Sequence, residues 1–144
     1  IDQACSYAEE RQKAHERTDY HVLAHGDAHA SNTLQILSPE ESKASGNKTR
    51  FKLIDPDGMF AEPAIDLAVP MRDWSTELLA GDALILGRDR CRLLSDLTGV
   101  DTQAIWQWGF MERISTGLLL MKVGMKREGV DYLKVAELWA GADL

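Results

Sequence analysis

The sequence predicts an α+β fold that is mostly helical and carries one small β-hairpin. Residues 2–19 and nearly all of the chain after Pro63 are rich in helix-forming residues. Residues 33–37 and 50–54 alternate in polarity and are β-prone. The segment between them, residues 38–49, is polar and contains turn residues, so the two strands are expected to pair as a hairpin. Apolar residues make up 44% of the 144 residues, which is enough for the core of a single domain.

The composition narrows the possible partners. The net charge is −7 and no basic patch is available to neutralise phosphates, so a nucleic-acid partner is not expected. The acidic charge is compatible with a cationic small-molecule substrate, although solubility explains it equally well. Cys5 and Cys91 are far apart and form no CxxC pair, which favours a reducing, cytoplasmic environment. No apolar run has the length of a membrane span, no signal peptide is recognised, and the oligomeric state is left open.

The first elements in chain order are a helix, a strand and the hairpin. Residues 2–19 form the helix, which has a weakly apolar face. Val22–Ala24 form a short strand that leads into a loop. Asn32 stands just before the first strand of the hairpin, and Asp55 stands just after the second. Because antiparallel strands place such residues side by side, the sequence predicts that Asn32 and Asp55 are neighbours.

The rest of the chain is predicted to be a series of helices. The first begins at Pro63, which suits an initial helical turn, and bends or breaks at Pro70. The longest is capped by Asp101 and ended by Gly129. Further helices are predicted over residues 72–79, 83–97 and 131–139, with a break and cap at Gly81–Asp82 and a stop at Gly99. Apolar residues at steps of three and four predict one buried stripe along the longest helix, namely Met111, Ile114, Leu118, Met121 and Met125.

Two short motifs carry the chemistry. The first is His25-Gly-Asp-Ala-His-Ala-Ser-Asn32. The second is Leu-Ile-Asp55-Pro-Asp-Gly58, in which Asp55 ends a short apolar run and Gly follows within three residues. Phosphoryl transfer needs a carboxylate that orients and deprotonates a hydroxyl, and a carboxylate plus an amide oxygen that hold magnesium on the phosphates. The spacing H-x-D-x-x-x-x-N matches the catalytic loop of kinase-like enzymes, and the downstream Asp takes the place of their metal-binding Asp.

The two motifs resemble those of the aminoglycoside phosphotransferase family. The segments HGDAHASN and LIDPDGMFAEPAIDLA occur in the family's order, and the likeness covers residues 22–68. Beyond that range only the helical character agrees. The family usually has Gly-Asp-Pro ahead of Asp-Leu-Ala, whereas here Glu62 precedes Pro63. The family has a kinase-like fold and includes antibiotic kinases and choline-type kinases.

The resemblance implies a role for each matched residue of the two motifs. Asp27 is the candidate catalytic base, and Asn32 and Asp55 are the candidate magnesium ligands at the ATP phosphates. His29 occupies a position from which it could approach the phosphates, and a plain loop position is an equal alternative. His25 is expected to brace the loop, with its ring satisfied by backbone groups.

The resemblance also implies a structural role for Asp66, which matches the buried Asp of the family's Asp-Leu-Ala segment. Asp66 is expected to accept hydrogen bonds from the catalytic loop and to hold it rigid without taking part in the chemistry. Asp57 is interpreted as a turn residue rather than as a ligand of a second metal. The tryptophans are interpreted mainly as core residues, with a substrate platform as the alternative. Most of the acidic residues Glu112, Glu128, Asp131 and Glu137 are interpreted as parts of a solvated helix surface, with an acidic pocket for an amino-sugar as the alternative.

The resemblance also implies a domain assignment and an activity. Residues 1–144 are expected to form the carboxy-terminal lobe of a kinase-like phosphotransferase, with the hairpin at the active-site edge and without the amino-terminal nucleotide lobe. The implied reaction moves the γ-phosphate of ATP, with Mg²⁺ as cofactor, to a hydroxyl of a small polar molecule. An aminoglycoside-type antibiotic is the first candidate acceptor, and choline, a sugar or an amino alcohol is the alternative. This chain alone is expected to be inactive, and a non-catalytic lobe is the second hypothesis.

A zinc site is the weaker enzymatic alternative. His25, Asp27 and His29 also have the spacing H-x-D-x-H, which would place three metal-binding side chains on one side of a strand. The only other histidines are His15 and His21, and no cysteine cluster follows. The sequence therefore favours phosphoryl transfer over zinc-dependent hydrolysis.

Overall fold

The computed structural model describes residues 1–16, 21–36 and 50–142. The predicted end of the first helix and the tip of the hairpin lie outside these ranges. Within them the chain is α+β and mostly helical, with a small two-stranded hairpin, which confirms the predicted class at that level. None of the described helices is both long and apolar enough to span a membrane. The elements are α1 (Asp2–His15), β1 (Val22–Ala24), a 3-10 turn (Ala30–Asn32), β2 (Thr33–Ile36), β3 (Arg50–Leu53), β4 (Met59–Ala61), α2 (Ala64–Arg72), α3 (Ser75–Ala80), α4 (Ala83–Thr98), α5 (Thr102–Lys122) and α6 (Lys126–Trp139).

Two antiparallel strand pairs lie on either side of two loops. The predicted hairpin is present, since β2 pairs with β3 and Thr33 lies opposite Leu53. A second pair, which the sequence analysis did not predict, joins β1 to β4 and places Ala24 opposite Met59. The segment from residue 25 to residue 32 must therefore face the shorter segment from residue 54 to residue 58. Because the first segment is longer, it bulges out of the paired ribbon as a loop.

Capping residues set several of the helix boundaries as predicted. Asp82 accepts hydrogen bonds from two backbone N–H groups at the start of α4, and Asp101 accepts one at the start of α5. Gly99 ends α4 in the left-handed conformation, with φ 74°. Two boundaries around α2 and α3 differ from the prediction. Pro70 lies within α2, which continues to Arg72, and the next helix begins at Ser75 rather than at residue 72.

The hydrophobic core is centred on α5. This helix packs against α1, α2, α4 and α6. The indoles of Trp106 and Trp139 stack within the core, with ring centroids 4.6 Å apart, whereas Trp74 is 48% exposed. The interpretation of the tryptophans as core residues is therefore right for the first two and wrong for Trp74. The largest fully buried apolar side chains are Trp106, Trp139, Phe110, Met71, Leu78 and Ile105.

The predicted buried stripe of the longest helix is wrong. Ile114 is buried, but Leu118 is 47% exposed and Met125 is 48% exposed and lies outside the helix. A helix that packs against four others is buried on several sides, so a single stripe does not identify its buried positions. The buried residues of α5 are Ala104, Ile105, Trp106, Gln107, Gly109, Phe110, Arg113, Ile114 and Gly117.

Gly129 does not end the longest helix. That helix ends at Lys122, followed by a turn that contains Gly124 at φ 91°. Gly129 lies instead in α6, which begins at Lys126 rather than at the predicted Asp131. A Cβ atom at Gly129 would lie 2.8 Å from the carbonyl oxygen of Gly117 in α5. The absence of a side chain at Gly129 therefore allows α5 and α6 to approach closely. Glycine is needed here for packing between helices, although in the sequence it resembles a helix stop.

Substituting Gly109 with alanine is expected to destabilise the fold, because Gly109 of α5 lies against Met71 of α2. An added Cβ would lie 2.5 Å from the Cβ of Met71, so one helix would have to move. We expect Gly109→Ala to lower the free energy of unfolding by roughly 1–3 kcal/mol, the usual cost of overpacking a core. Urea denaturation measures the change. Gly81→Ala is the matched control, since the nearest atom there is the flexible end of Leu86; equal stability of the two variants would contradict the packing argument.

Candidate active site

Asp66 holds the first motif in place from the start of α2. Its Oδ2 accepts a hydrogen bond of 2.8 Å from the backbone N–H of His25, and its Oδ1 accepts one of 2.7 Å from that of Gly26. Both carboxylate oxygens therefore bind consecutive backbone groups of the loop that carries Asp27. These are the contacts that the sequence analysis expected of Asp66.

Removing the Asp66 carboxylate is expected to leave two backbone N–H groups without partners. We expect Asp66→Ala to lower the free energy of unfolding by roughly 1–3 kcal/mol, the cost of stranding partly buried donors. Asp66→Asn keeps one acceptor oxygen, so its stability should fall between that of the wild type and that of Asp66→Ala. Thermal unfolding gives the ranking, with Asp96→Ala, an exposed residue of α4, as the control that should change little. A melting temperature unchanged by Asp66→Ala would contradict this bracing role.

Backbone contacts join the two motifs. The carbonyl oxygen of His25 accepts a hydrogen bond of 2.8 Å from the N–H of Asp57. Gly26, at φ 85°, lies so close that an added Cβ would be 3.0 Å from the Cβ of Asp57. Both the left-handed backbone and this close approach require glycine at position 26. The backbone of Asp57 thus joins its own loop to the loop that carries Asp27.

The ring of His25 lies between the two loops. Its Nε2 is 3.0 Å from the carbonyl oxygen of Ile54, and its Nδ1 accepts from the N–H of Asp27 at 3.3 Å. Since Nδ1 accepts, Nε2 carries the proton and donates. With both nitrogens bound to backbone groups, His25 is not oriented as a metal ligand. Within the described part of the chain, no group of three or more His, Cys, Asp and Glu side chains is arranged to hold a metal ion. The zinc hypothesis therefore gains no support.

Asp27 and Asn32 are in direct contact. The Nδ2 of Asn32 donates to the Oδ2 of Asp27 at 3.2 Å and to its carbonyl oxygen at 3.0 Å. The Nε2 of His29 also lies 3.2 Å from Oδ2 of Asp27, and its Nδ1 accepts from the N–H of Ser31. The His29 ring therefore donates to Asp27 through Nε2. Two neighbours thus orient one carboxylate that remains 39% exposed at the surface of the loop.

Asp55 lies at the neighbouring end of the hairpin. The N–H of Ile54 donates to the carbonyl oxygen of Asn32 at 2.9 Å, so Asp55 directly follows a residue that is bonded to Asn32. The structure thus brings the backbones of these two candidate ligands together at the edge of the hairpin. Asp55 is exposed and has φ 58°, a conformation that is uncommon for a residue with a side chain but is tolerated best by Asp and Asn.

Arg72 is a site residue that the sequence analysis missed. Its Nη2 lies 3.8 Å from Oδ1 of Asp27, its Nε lies 3.4 Å from Oδ1 of Asp73, and its Nη1 lies 3.3 Å from Oε2 of Glu112. Burial alone would lower the pKa of the Arg72 guanidinium, but the carboxylates of Asp73 and Glu112 outweigh it and the pKa is raised. Arg72 thus links Asp27 to two further carboxylates, of which Asp73 also interacts electrostatically with Arg90 and Arg113. Nothing in the residue spacing indicates this contact, because it depends on how the end of α2 packs.

Glu62, just before α2, joins the turn that carries it to two helices. Its side chain accepts a hydrogen bond from Nε1 of Trp108 in α5 and lies 3.4 Å from Nη1 of Arg11 in α1. These contacts hold the turn that precedes α2, the helix on which Asp66 lies.

None of the protein-family models, curated proteins and solved structures compared with this chain matches it. The class of the protein therefore depends on the two motifs and on the geometry that joins them. That geometry is a surface carboxylate held by an amide and an imidazole, with a second exposed carboxylate on the adjoining loop.

Proposed function

We propose that this chain is the carboxy-terminal lobe of a kinase-like phosphotransferase that moves the γ-phosphate of ATP to a hydroxyl of a small polar molecule. The observation that carries the proposal is the contact between Asp27 and Asn32 together with the backbone bond from Ile54 to Asn32. These bonds place Asp27 and Asn32 of the first motif next to Ile54 of the second motif. Phosphoryl transfer needs these residue types in one place.

Asp27 acts on the acceptor hydroxyl in this proposal. A carboxylate oxygen of Asp27 accepts the hydrogen bond of the hydroxyl and orients it for in-line attack. As the acceptor oxygen bonds to the γ-phosphorus, its proton passes to Asp27 and the bond from phosphorus to the β–γ bridging oxygen breaks, which releases ADP. The donors on Asn32 and His29 hold the carboxylate in one orientation, and the exposure of Asp27 allows the acceptor to reach it.

Asn32 and Asp55 are suited to hold Mg²⁺. Because the contact with Asp27 is made by Nδ2 of Asn32, the amide oxygen Oδ1 takes no part in it. Asp55 offers a carboxylate at an exposed position of the next loop. Hard oxygen donors of this kind suit Mg²⁺, which takes its remaining ligands from water and phosphate oxygens. When bound, the ion would neutralise charge on the phosphates of ATP.

The charge around Arg72 bears on the acceptor. Asp27 and Glu112 present partly exposed carboxylates beside Arg72, and the chain as a whole has a net charge of −7. Such a surface attracts a cationic acceptor. It supports an aminoglycoside-type antibiotic as the first candidate, with choline or an amino alcohol next and a neutral sugar less favoured.

The test is a panel of acceptors incubated with the full-length gene product, Mg²⁺ and ATP. The panel contains aminoglycosides, choline, ethanolamine and neutral sugars, and release of ADP and phosphorylation of each acceptor are both measured. Phosphorylation of at least one acceptor, abolished by chelation of Mg²⁺, is the expected result. A protein that binds no Mg²⁺-nucleotide and phosphorylates no acceptor would refute the proposal. An assay of the present chain alone distinguishes an active lobe from a non-catalytic one.

A further inference from the structure

The residue of interest is Trp74, between α2 and α3. Among the described residues, only two residues other than glycine have a positive φ, namely Asp55 at 58° and Trp74 at 60°. A bulky aromatic residue is a genuine outlier in this conformation. Strained backbone of this kind persists where the surrounding structure holds it, and it is concentrated at functional sites. Asp55 belongs to the candidate active site, and Trp74 follows Arg72, which contacts Asp27, by two positions.

The peptide before Trp74 is held firmly from the protein interior. The carbonyl oxygen of Asp73 accepts hydrogen bonds from Nη1 of Arg90 at 3.0 Å and from Nη2 of Arg113 at 2.9 Å. Arg90 also donates to the carbonyl oxygen of Pro70 at 3.0 Å. Arg113 is fully buried. These bonds fix the left-handed turn and account for its persistence.

The indole of Trp74 is supported on one side and open elsewhere. The guanidinium of Arg90, fixed by its two carbonyl partners, lies 5.1 Å from the centre of the indole ring. Trp74 nevertheless remains 48% exposed, whereas Trp106 and Trp139 are buried in the core. A rigid, exposed aromatic surface is costly to keep in water and is well suited to bind an apolar surface of a ligand.

We propose that Trp74 is a specificity-determining residue that stacks on the ring of a cyclic acceptor, an inference that rests on the proposed phosphotransferase function. The C–H side of a sugar or aminocyclitol ring packs against an indole through dispersion. Ammonium groups on the same ring would lie toward Asp73 and Glu112, which flank Arg72. A linear acceptor such as choline or ethanolamine has no ring to stack. The site therefore favours an amino-substituted cyclic acceptor over a linear amino alcohol.

The test compares Trp74→Asn, Trp74→Phe and the wild type in the full-length gene product. Asparagine tolerates a positive φ, so Trp74→Asn removes the indole without adding backbone strain. For cyclic acceptors we expect this variant to raise KM about tenfold with kcat changed by less than about threefold, the pattern of a lost binding contact. Trp74→Phe should retain most of the affinity. Leu97→Ala, an exposed apolar residue near the end of α4, is the control.

The outcomes separate this inference from the proposed function. An unchanged KM for cyclic acceptors in Trp74→Asn overturns the stacking role alone. Phosphorylation of linear acceptors only, with none of the cyclic ones, also overturns it and leaves the phosphotransferase proposal standing. If the wild type phosphorylates no acceptor, and if calorimetry without nucleotide detects no acceptor binding, both the stacking role and the phosphotransferase proposal are overturned. An unchanged KM for Mg²⁺-ATP in Trp74→Asn is required in every supporting case.

Discussion

Replacing Asp27 with asparagine is expected to lower kcat by about 10²- to 10⁴-fold, the usual contribution of a positioned general base. The amide has nearly the same shape as the carboxylate but cannot take the acceptor proton. It can still accept the hydrogen bond from Nδ2 of Asn32, so the loop should keep its conformation. Steady-state kinetics with the best acceptor of the panel measures the effect.

Stability measurements are needed to interpret Asp27→Asn. Asp27 is 39% exposed, so the melting temperature is expected to stay close to that of the wild type. Asp96→Asn removes the same charge from an exposed position of α4 and should leave both kcat and stability unchanged. A wild-type rate in Asp27→Asn would rule out its role as the base, and a large loss of stability would show that the variant tests folding instead.

The second large effect is expected at Asp55. Asp55→Asn should abolish productive binding of Mg²⁺-ATP, because the neutral amide is a much weaker ligand for a hard divalent cation than a carboxylate. The substitution suits the backbone, since asparagine is also tolerated at a φ of 58°. Any change can therefore be assigned to charge rather than to strain. Mg²⁺ titrations of phosphotransfer, and calorimetry with a non-hydrolysable nucleotide, give the measurement.

Asp57 provides the matched comparison for Asp55. It lies two positions away on the same loop, and its backbone N–H is bonded to the carbonyl oxygen of His25. Asp57→Asn keeps this backbone bond, so nucleotide binding close to that of the wild type is expected. Equal losses in Asp55→Asn and Asp57→Asn would indicate a general effect of negative charge on this loop and would contradict the assignment of Asp55 as the ligand.

The errors of sequence interpretation share a physical cause. The predicted apolar stripe through Leu118 and the predicted helix stop at Gly129 both depend on the residue pattern of one helix considered alone. In the structure, α5 is enclosed by four helices, so its buried residues surround it. Gly129 is needed where α6 crosses α5, because a Cβ there would meet the carbonyl oxygen of Gly117. Periodicity within one segment contains no information about which neighbours pack against it.

The local features of this protein follow from its residues alone. The caps at Asp82 and Asp101, the hairpin and the spacing of Asp27 and Asn32 all follow from local hydrogen bonding, alternation and turn chemistry. The distant groups that complete the site depend on tertiary packing. Arg72 reaches Asp27, and Trp74 is held in a strained, exposed turn two positions further along the chain, because helices far apart in the sequence pack around α5 and set the position of the turn between α2 and α3.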